Sequence, residues 1–454
     1  MTDNADYRQA RFSEDYTHII DSDGNRVELG DPRVVHFYPF SSSNYTQRLT
    51  GSFYRKRGWK LRISGRTNPE ALRHARELCS GRECLPCASI TGSIYTDMLK
   101  NRGKDEITVY YNLDQDGPCQ NGAWPVVWET FARRLKARNV IYGVSLGSVS
   151  NYVGQGGALA SELATAITVG DLLDEARNTV QCLAVNRDSA LTMFEAETDR
   201  VIDSAETGER ALKRALKTWA QNTDTIPLRS SVESAPKVLV FGGLNVMFVQ
   251  EPITEFFLER GIIAKVVDFG EGINWLTGEP LIRHGLKRGL LSAKDMFGIA
   301  SLLFSIFNPR NNFREAIAAV RARLLLTALD FYARRYRRIM GRSRLVYGVH
   351  VPFYKIVEEG GKTLSLMGCS ETPITVGRYL CSITSGAFDG MVNVGCFNCQ
   401  PAMNSQAVLR PLAGAADVPY AAIDLEGPWI SANQRRLLEV IAVQAERVRE
   451  KKNT

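Results

Sequence analysis

Short apolar runs alternate with helix-period stretches along most of the chain. The run EITVYYNL (Glu106–Leu113) is rich in β-branched and aromatic residues, as a buried strand is. A Gly-Pro loop follows, then a helix to about Arg138, and NVIYGVSL (Asn139–Leu146) repeats the strand pattern. From about Gly157 to Gln221 the chain is dominated by Ala, Leu, Glu and Arg. That composition predicts a long helical region, broken near Asn186 and Gly208. The GQGG segment (Gly154–Gly157) stands at its start. It could seat a phosphate at a helix N-terminus, but it lacks the dinucleotide fingerprint and reads more simply as the beginning of a helix.

The polar, proline-bearing stretch TDTIPLRSSVESAPK then predicts a domain boundary. A second series begins with KVLVFGG (Lys237–Gly243), a helix from Ile253 to Arg260 and AKVVDFG (Ala264–Gly270). It ends with GMVNVG (Gly390–Gly395), PYAAIDLEG (Pro419–Gly427) and a closing helix from Ser431 to Glu450. Such alternation predicts an α/β protein of two Rossmann-like parallel-sheet domains with additional helical segments. The expected division is an N-terminal extension (1–30), a first domain with the long helical segment (31–225) and a second domain (236–454). Sites in such sheets form at the carboxyl ends of strands. Cys119, Cys396 and Cys399 all follow predicted strands.

Composition adds little: 454 residues, 44% apolar and 23% charged, make an ordinary globular chain. The polar N-terminus has no signal-peptide core, and the longest apolar stretch, Met296–Phe307, is too short to cross a bilayer. The expected location is cytoplasmic, where clustered cysteines serve as metal or redox groups more often than as disulfides. The net charge of +7 is modest but uneven, since Arg310–Arg344 carries ten arginines against Glu315 and Asp330. In this basic segment, 311–344 in the second domain, Phe313, Ile317, Val320, Leu324, Ala328 and Phe331 recur at helical steps. It reads as an amphipathic helix with its arginines on a solvated face, or as a docking surface for an acidic partner or a nucleotide phosphate. No aromatic platform or binding motif accompanies the charge, which speaks against nucleic acid.

The nine cysteines carry the candidate chemistry. CSGRECLPC holds Cys79, Cys84 and Cys87; Cys119 lies in DQDGPCQNG; Cys396 and Cys399 form the C-x2-C of GCFNCQP. Thiolates two residues apart can reach one metal or cluster, and nearby Gly and Pro let backbone N–H groups face the sulfurs. A four-thiolate zinc site is the competing reading, but zinc pairs usually lie close in sequence and these are roughly 300 residues apart. Their spread points instead to an iron–sulfur cluster between the two domains. Cys182 and Cys381 read as small core residues, while Cys369 precedes a predicted helix start. The five histidines form no ligand-spaced group, and there is no P-loop or nucleophile elbow.

Three segments in order, ECLPCASITGSI (83–94), YNLDQDGPCQNGAW (111–124) and SETPITVGRYL…FDGMVNVGCFNCQPA (370–402), resemble the 2-hydroxyacyl-CoA dehydratase and benzoyl-CoA reductase superfamily. They resemble in particular the C-terminal part of its large activase-like members and its double-cubane cluster proteins. PKVLVFGGLNVMF…ERGIIAKVVDFGEG is similar to that superfamily's mid-chain strand–helix–strand, so the resemblance covers roughly 34–450. It places cluster ligands on Cys84, Cys119 and Cys399. It implies stacked α/β domains, an oxygen-sensitive cluster between them and reduction by a separate ATP-hydrolysing activase. Cys87 and Cys396 depart from the pattern by adding thiols, and with Cys79 the inventory reaches six. Three thiolates suit one [4Fe-4S] cubane; six suit a double-cubane [8Fe-9S] cluster, with Cys79 or Cys369 as the sixth. The expected function is low-potential, ATP-coupled electron transfer or a difficult reduction, with an activase or another redox protein as partner in an oligomer or multi-subunit complex. An acyl-CoA dehydratase and a non-catalytic cluster carrier or assembly component are the alternatives.

Overall fold

The computed structural model describes residues 8–39, 43–65, 67–112, 119–145, 156–290, 292–299, 302, 312–366 and 370–454. Most of the Met296–Phe307 stretch, the start of GQGG and Cys369 lie outside them. Two four-stranded, all-parallel sheets organise the chain. The first contains β4 (Val34–Tyr38), β5 (Lys60–Ile63), β6 (Ile107–Asn112) and β7 (Val140–Ser145) in the order β5-β4-β6-β7. The second contains β8 (Lys237–Phe241), β9 (Ile263–Val266), β10 (Gly390–Cys396) and β11 (Tyr420–Leu425) in the order β11-β10-β8-β9. The expected two parallel-sheet α/β halves are present. A small antiparallel sheet, β1 (Arg11–Phe12), β2 (His18–Ile20) and β3 (Arg26–Glu28), occupies the N-terminal extension.

Both sheets follow one plan. The first strand of each half pairs with the second on one side and with the third on the other. This creates a switch point between β4 and β6 and another between β8 and β10, where crevices open at the carboxyl edge. Every residue of β4, β6, β8 and β10 is buried, as central strands covered by helices on both faces must be.

The covering helices begin with α1 (Asn44–Arg55), α2 (Pro69–Leu78), α3 (Leu85–Lys100) and α4 (Trp124–Arg134). The last ends short of Arg138 because Lys136 and Asn139 take left-handed backbone conformations. The long helical region is α5 (Gly156–Leu183), α6 (Arg187–Thr207) and α7 (Glu209–Thr223), with breaks at the expected Asn186 and Gly208. The second half adds α8 (Val246–Val249), α9 (Glu251–Leu258), α10 (Phe269–Lys287), α11 (Ala293–Phe297), α12 (Phe313–Met340), α13 (Phe353–Gly361), α14 (Thr372–Ser385), α15 (Gln400–Gly414) and α16 (Ala432–Asn453).

The basic segment is helical, as α12, but only part of its apolar stripe faces inward: Val320 packs against the core and Ile317 is half-buried. Phe313, Leu324 and Phe331 are 60%, 65% and 58% exposed. The buried side is built from Ala316, Ala319, Ala322 and Leu326, with Tyr336 and Met340 at its end. Small residues allow α12 to lie close to α10, whose Gly278 sits beside Leu326. The arginines also divide: Arg337 turns inward to Glu175 and Asp268, while Arg321, Arg334 and Arg338 stay exposed. Residues of α1, α5, α6, α7 and α12 share one apolar core, so this helix joins the two halves through a helical layer.

Candidate functional site

Among the described residues, six N-caps are Ser or Asn whose side-chain oxygens accept first-turn N–H groups: Ser43, Asn68, Asn186, Ser292, Asn312 and Ser431. This is the common solution to the unpaired donors of a helix start. Other helical segments start without such a cap, and three of these begin at a cysteine. Cys84 caps α3, Cys119 caps the 3-10 turn Gln120–Ala123, and Cys399 caps α15. No side-chain cap hydrogen bond closes at any of them, so first-turn N–H groups and the positive end of each dipole remain available to an anion.

Topology brings these starts together. Cys119 follows β6 and Cys399 follows β10, the two strands at the switch points. Helix α3 leads back into β6, so its first turn also lies at the carboxyl edge. Main-chain and side-chain contacts then join the loops. The N–H of Leu85 donates to the carbonyl of Phe397 at 3.0 Å. The N–H of Cys84 donates to Gln120 Oε1 at 3.0 Å, and the Asn398 amide donates to the carbonyl of Arg82. Cys84 therefore stands at the centre, near enough to Cys87, Cys119, Cys396 and Cys399 for their thiolates to repel one another. Cys87 and Cys79 interact in the same way.

Each thiol has its own setting. Cys87, in the first turn of α3, lies 3.8 Å from Thr91 Oγ1, which accepts from Trp128 Nε1 at 3.2 Å. Cys396 ends β10 and donates to the carbonyl of Asn245 at 3.7 Å. Cys79 terminates α2 and is half-buried. Cys182 and Cys381 are buried within α5 and α14, as small core residues are.

Burial governs the ionisation of the group. It pushes Cys84 and Cys87 up to about 12 and Cys79 and Cys119 up to about 11, and it raises Cys396 and Cys399 further. Backbone N–H groups of Cys87, Asn121 and Ala402 act in the opposite direction, favouring thiolates at Cys84, Cys119 and Cys399. A set of buried thiols with N–H donors aimed at its sulfurs ionises readily only against a cationic centre. This donor chemistry fits an iron–sulfur cluster, which takes thiolates and is tuned by N–H···S contacts. Among the described residues no three His, Cys, Asp or Glu side chains stand close enough to enclose a single metal ion. The ligands of a cluster surround a larger body than one ion.

A second feature went unnoticed in the sequence. A cavity of about 750 Å³ opens at the carboxyl ends of β8 and β9, against α5 and α9. Beside it lies a buried charge network: Lys265 Nζ pairs with Glu175 at 2.9 Å and Asp268 at 2.5 Å, and Arg337 reaches both at 3.3 and 3.2 Å. Glu271 pairs with Arg378 at 3.3 Å. The available signal was Lys265, a charge inside the apolar strand run AKVV, spaced three residues from Asp268 and six from Glu271.

No family model and no curated protein matches this chain.

Proposed function

We propose that this chain holds an iron–sulfur cluster between its two parallel-sheet halves and serves low-potential electron transfer. One observation carries the reading: Cys84, Cys119 and Cys399 each open a helical segment in place of an oxygen cap, and their loops are bonded to one another. Thiols gathered from both halves at the starts of three helical segments are expected where function, and not helix stability, selects the residue. The cluster, when bound, would supply one-electron redox chemistry at low potential.

The residues do the rest. Cys84, Cys119 and Cys399 would hold the group, with Cys87 and Cys396 placed to add thiolates and Cys79 further out. The N–H groups of Cys87, Asn121 and Ala402 stabilise negative charge on sulfur. The apolar cluster around Leu85, Ile90, Trp124 and Met247 limits water, which lowers the local dielectric and makes each N–H donor count for more.

The resemblance to the dehydratase and reductase superfamily gives electron donation to a separate ATP-hydrolysing activase. Exposed Arg321, Arg334 and Arg338 on α12, beside the exposed Phe313, Leu324 and Phe331, suit transient docking of an acidic, partly apolar face. We favour electron transfer over acyl-CoA dehydration because the cavity near the thiols has eight acidic side chains against four basic ones. Such a lining repels the phosphates of coenzyme A.

Anaerobic purification with iron and sulfide counts tests the proposal. About four iron per chain corresponds to one cubane and about eight to two. Zinc without iron overturns it.

A further inference from the structure

Glu371, the N-cap of α14, is a buried carboxyl beside the cysteine loops and is only 4% exposed. Two contacts place it there. The hydroxyl of the next residue, Thr372, donates to the carbonyl of Pro401 at 3.2 Å, two residues past Cys399. On the other side, a Cβ at Gly243 would fall 2.8 Å from Glu371 Cγ, so this glycine leaves the space that the acidic side chain fills. Gly243 opens the turn to Asn245, whose carbonyl accepts from Cys396 at 3.7 Å. The start of α14 therefore lies between the turn that receives Cys396 and the first turn that follows Cys399.

The chain holds the carboxyl at this place. Ser370 Oγ donates to Glu371 Oε2 at 2.7 Å, and Ser370 itself takes a left-handed backbone conformation with φ 49°. A residue with a side chain adopts that conformation at a cost and keeps it where its surroundings require it. The electrostatics point the same way. After burial, the Glu371 carboxylate is the next influence that raises the thiols of Cys119 and Cys399, and it also raises Cys396. A buried carboxylate facing several thiolates is unfavourable unless a cationic centre lies among them.

We propose that Glu371 is an oxygen ligand of the group held by Cys84, Cys119 and Cys399, on the iron that three thiolates leave open in a cubane. Iron accepts carboxylate oxygen as well as sulfur, and clusters with a ligand other than cysteine are known chemistry. The inference rests on the iron–sulfur reading, and the experiment separates the failure of one from the failure of the other.

The full chain and Glu371→Gln, purified anaerobically with isotopically enriched iron, are compared by iron and sulfide counts, Mössbauer spectroscopy and electron paramagnetic resonance of the reduced state. Cyanide, which binds an iron lacking a protein ligand, is the probe. The parent should show about one iron in four with the larger isomer shift of oxygen ligation, and no response to cyanide. Glu371→Gln should retain at least about three irons of the four and lose the parental signature of the distinct iron. Any fourth iron it keeps should shift its resonance on addition of cyanide. Glu371→Cys should convert the distinct iron to the all-sulfur type, and it keeps the test open if Glu371→Gln fails to fold. Sulfur ligation of every iron in the parent, through Cys369 or another thiol, overturns the proposal. So does a parent that responds to cyanide, or a Glu371→Gln variant whose spectra match the parent. A chain that binds no iron overturns the cluster reading and the Glu371 assignment with it.

Discussion

The backbone N–H of Leu85 donates to the carbonyl of Phe397 at 3.0 Å. Leu85 follows Cys84 and Phe397 follows Cys396, so one main-chain bond sets the cysteine loops of the two halves side by side. Such a bond does not depend on side-chain identity, and serine substitutions should leave it intact. Cys119→Ser and Cys399→Ser should each remove roughly half or more of the bound iron, because serine is a poor ligand for iron in this role. Cys182→Ser, within the core of α5, should keep full iron content. Iron and sulfide counts on the three purified variants decide it, and equal loss in all three would indicate general destabilisation.

Gly242 ties the fold to the site. A Cβ there would fall 2.0 Å from the carbonyl oxygen of Val394, on the strand that ends in Cys396. Gly242→Ala should therefore push β8 from β10 at the switch point and cost about 1–3 kcal/mol or more through overpacking. It should also shift the turn that receives Cys396 at Asn245. Chemical denaturation together with iron retention against a chelator measures both effects, and a variant normal in both contradicts the geometry.

Glu271 predicts a pH dependence of stability. Burial pushes its carboxyl up to about 7, against an ordinary value of 4.5, even with Arg378 pulling it down. The folded chain thus keeps a proton that the unfolded chain has released. Stability falls as pH rises between these two values, and the cost persists above the upper one. Glu271→Gln removes that cost. It should exceed the parent protein in stability by about 3 kcal/mol at pH 8 and match it near pH 4.5. Denaturant unfolding across that range, showing a difference independent of pH, would defeat the assignment.

Much of this architecture was legible in the chain. Fully buried parallel strands leave continuous apolar runs, so EITVYYNL and KVLVFGG announced β6 and β8. Asn186 and Gly208 are a cap and a chain-reversing glycine, and they marked the helix breaks. The cysteine loops were legible because glycine, proline and thiols coincide in them. The cavity was not, because its charges come from α5, β9, α10 and α14 and meet only after folding. Helix α12 misled for a related reason. Its bulky apolar residues fall at helical spacing, but close packing against α10 selected the alanine face, which spacing alone cannot distinguish from the face of Phe313, Leu324 and Phe331.

That exposed face leads to the final prediction. Phe313, Leu324 and Phe331 are 11 and 7 residues apart, close to whole numbers of helical turns, so they align along one side of α12. Arg321, Arg334 and Arg338 are exposed on the same helix, and only Arg334 carries a local ion pair, with Asp330 at 2.9 Å, among those described. Charges of this kind raise the association rate of a transient redox partner more than they strengthen the complex. Replacing all three with Glu should leave the folded core intact, since none of them contributes to the buried face. Reduction through the activase should slow by about tenfold or more at low ionic strength, while reduction by a small chemical donor stays normal. The deficit should shrink as salt rises, because exposed charges are screened beyond about 10 Å at 0.1 M. Stopped-flow reduction at several salt concentrations gives the answer. A normal partner-dependent rate at every salt would mean that the arginines only solvate the helix.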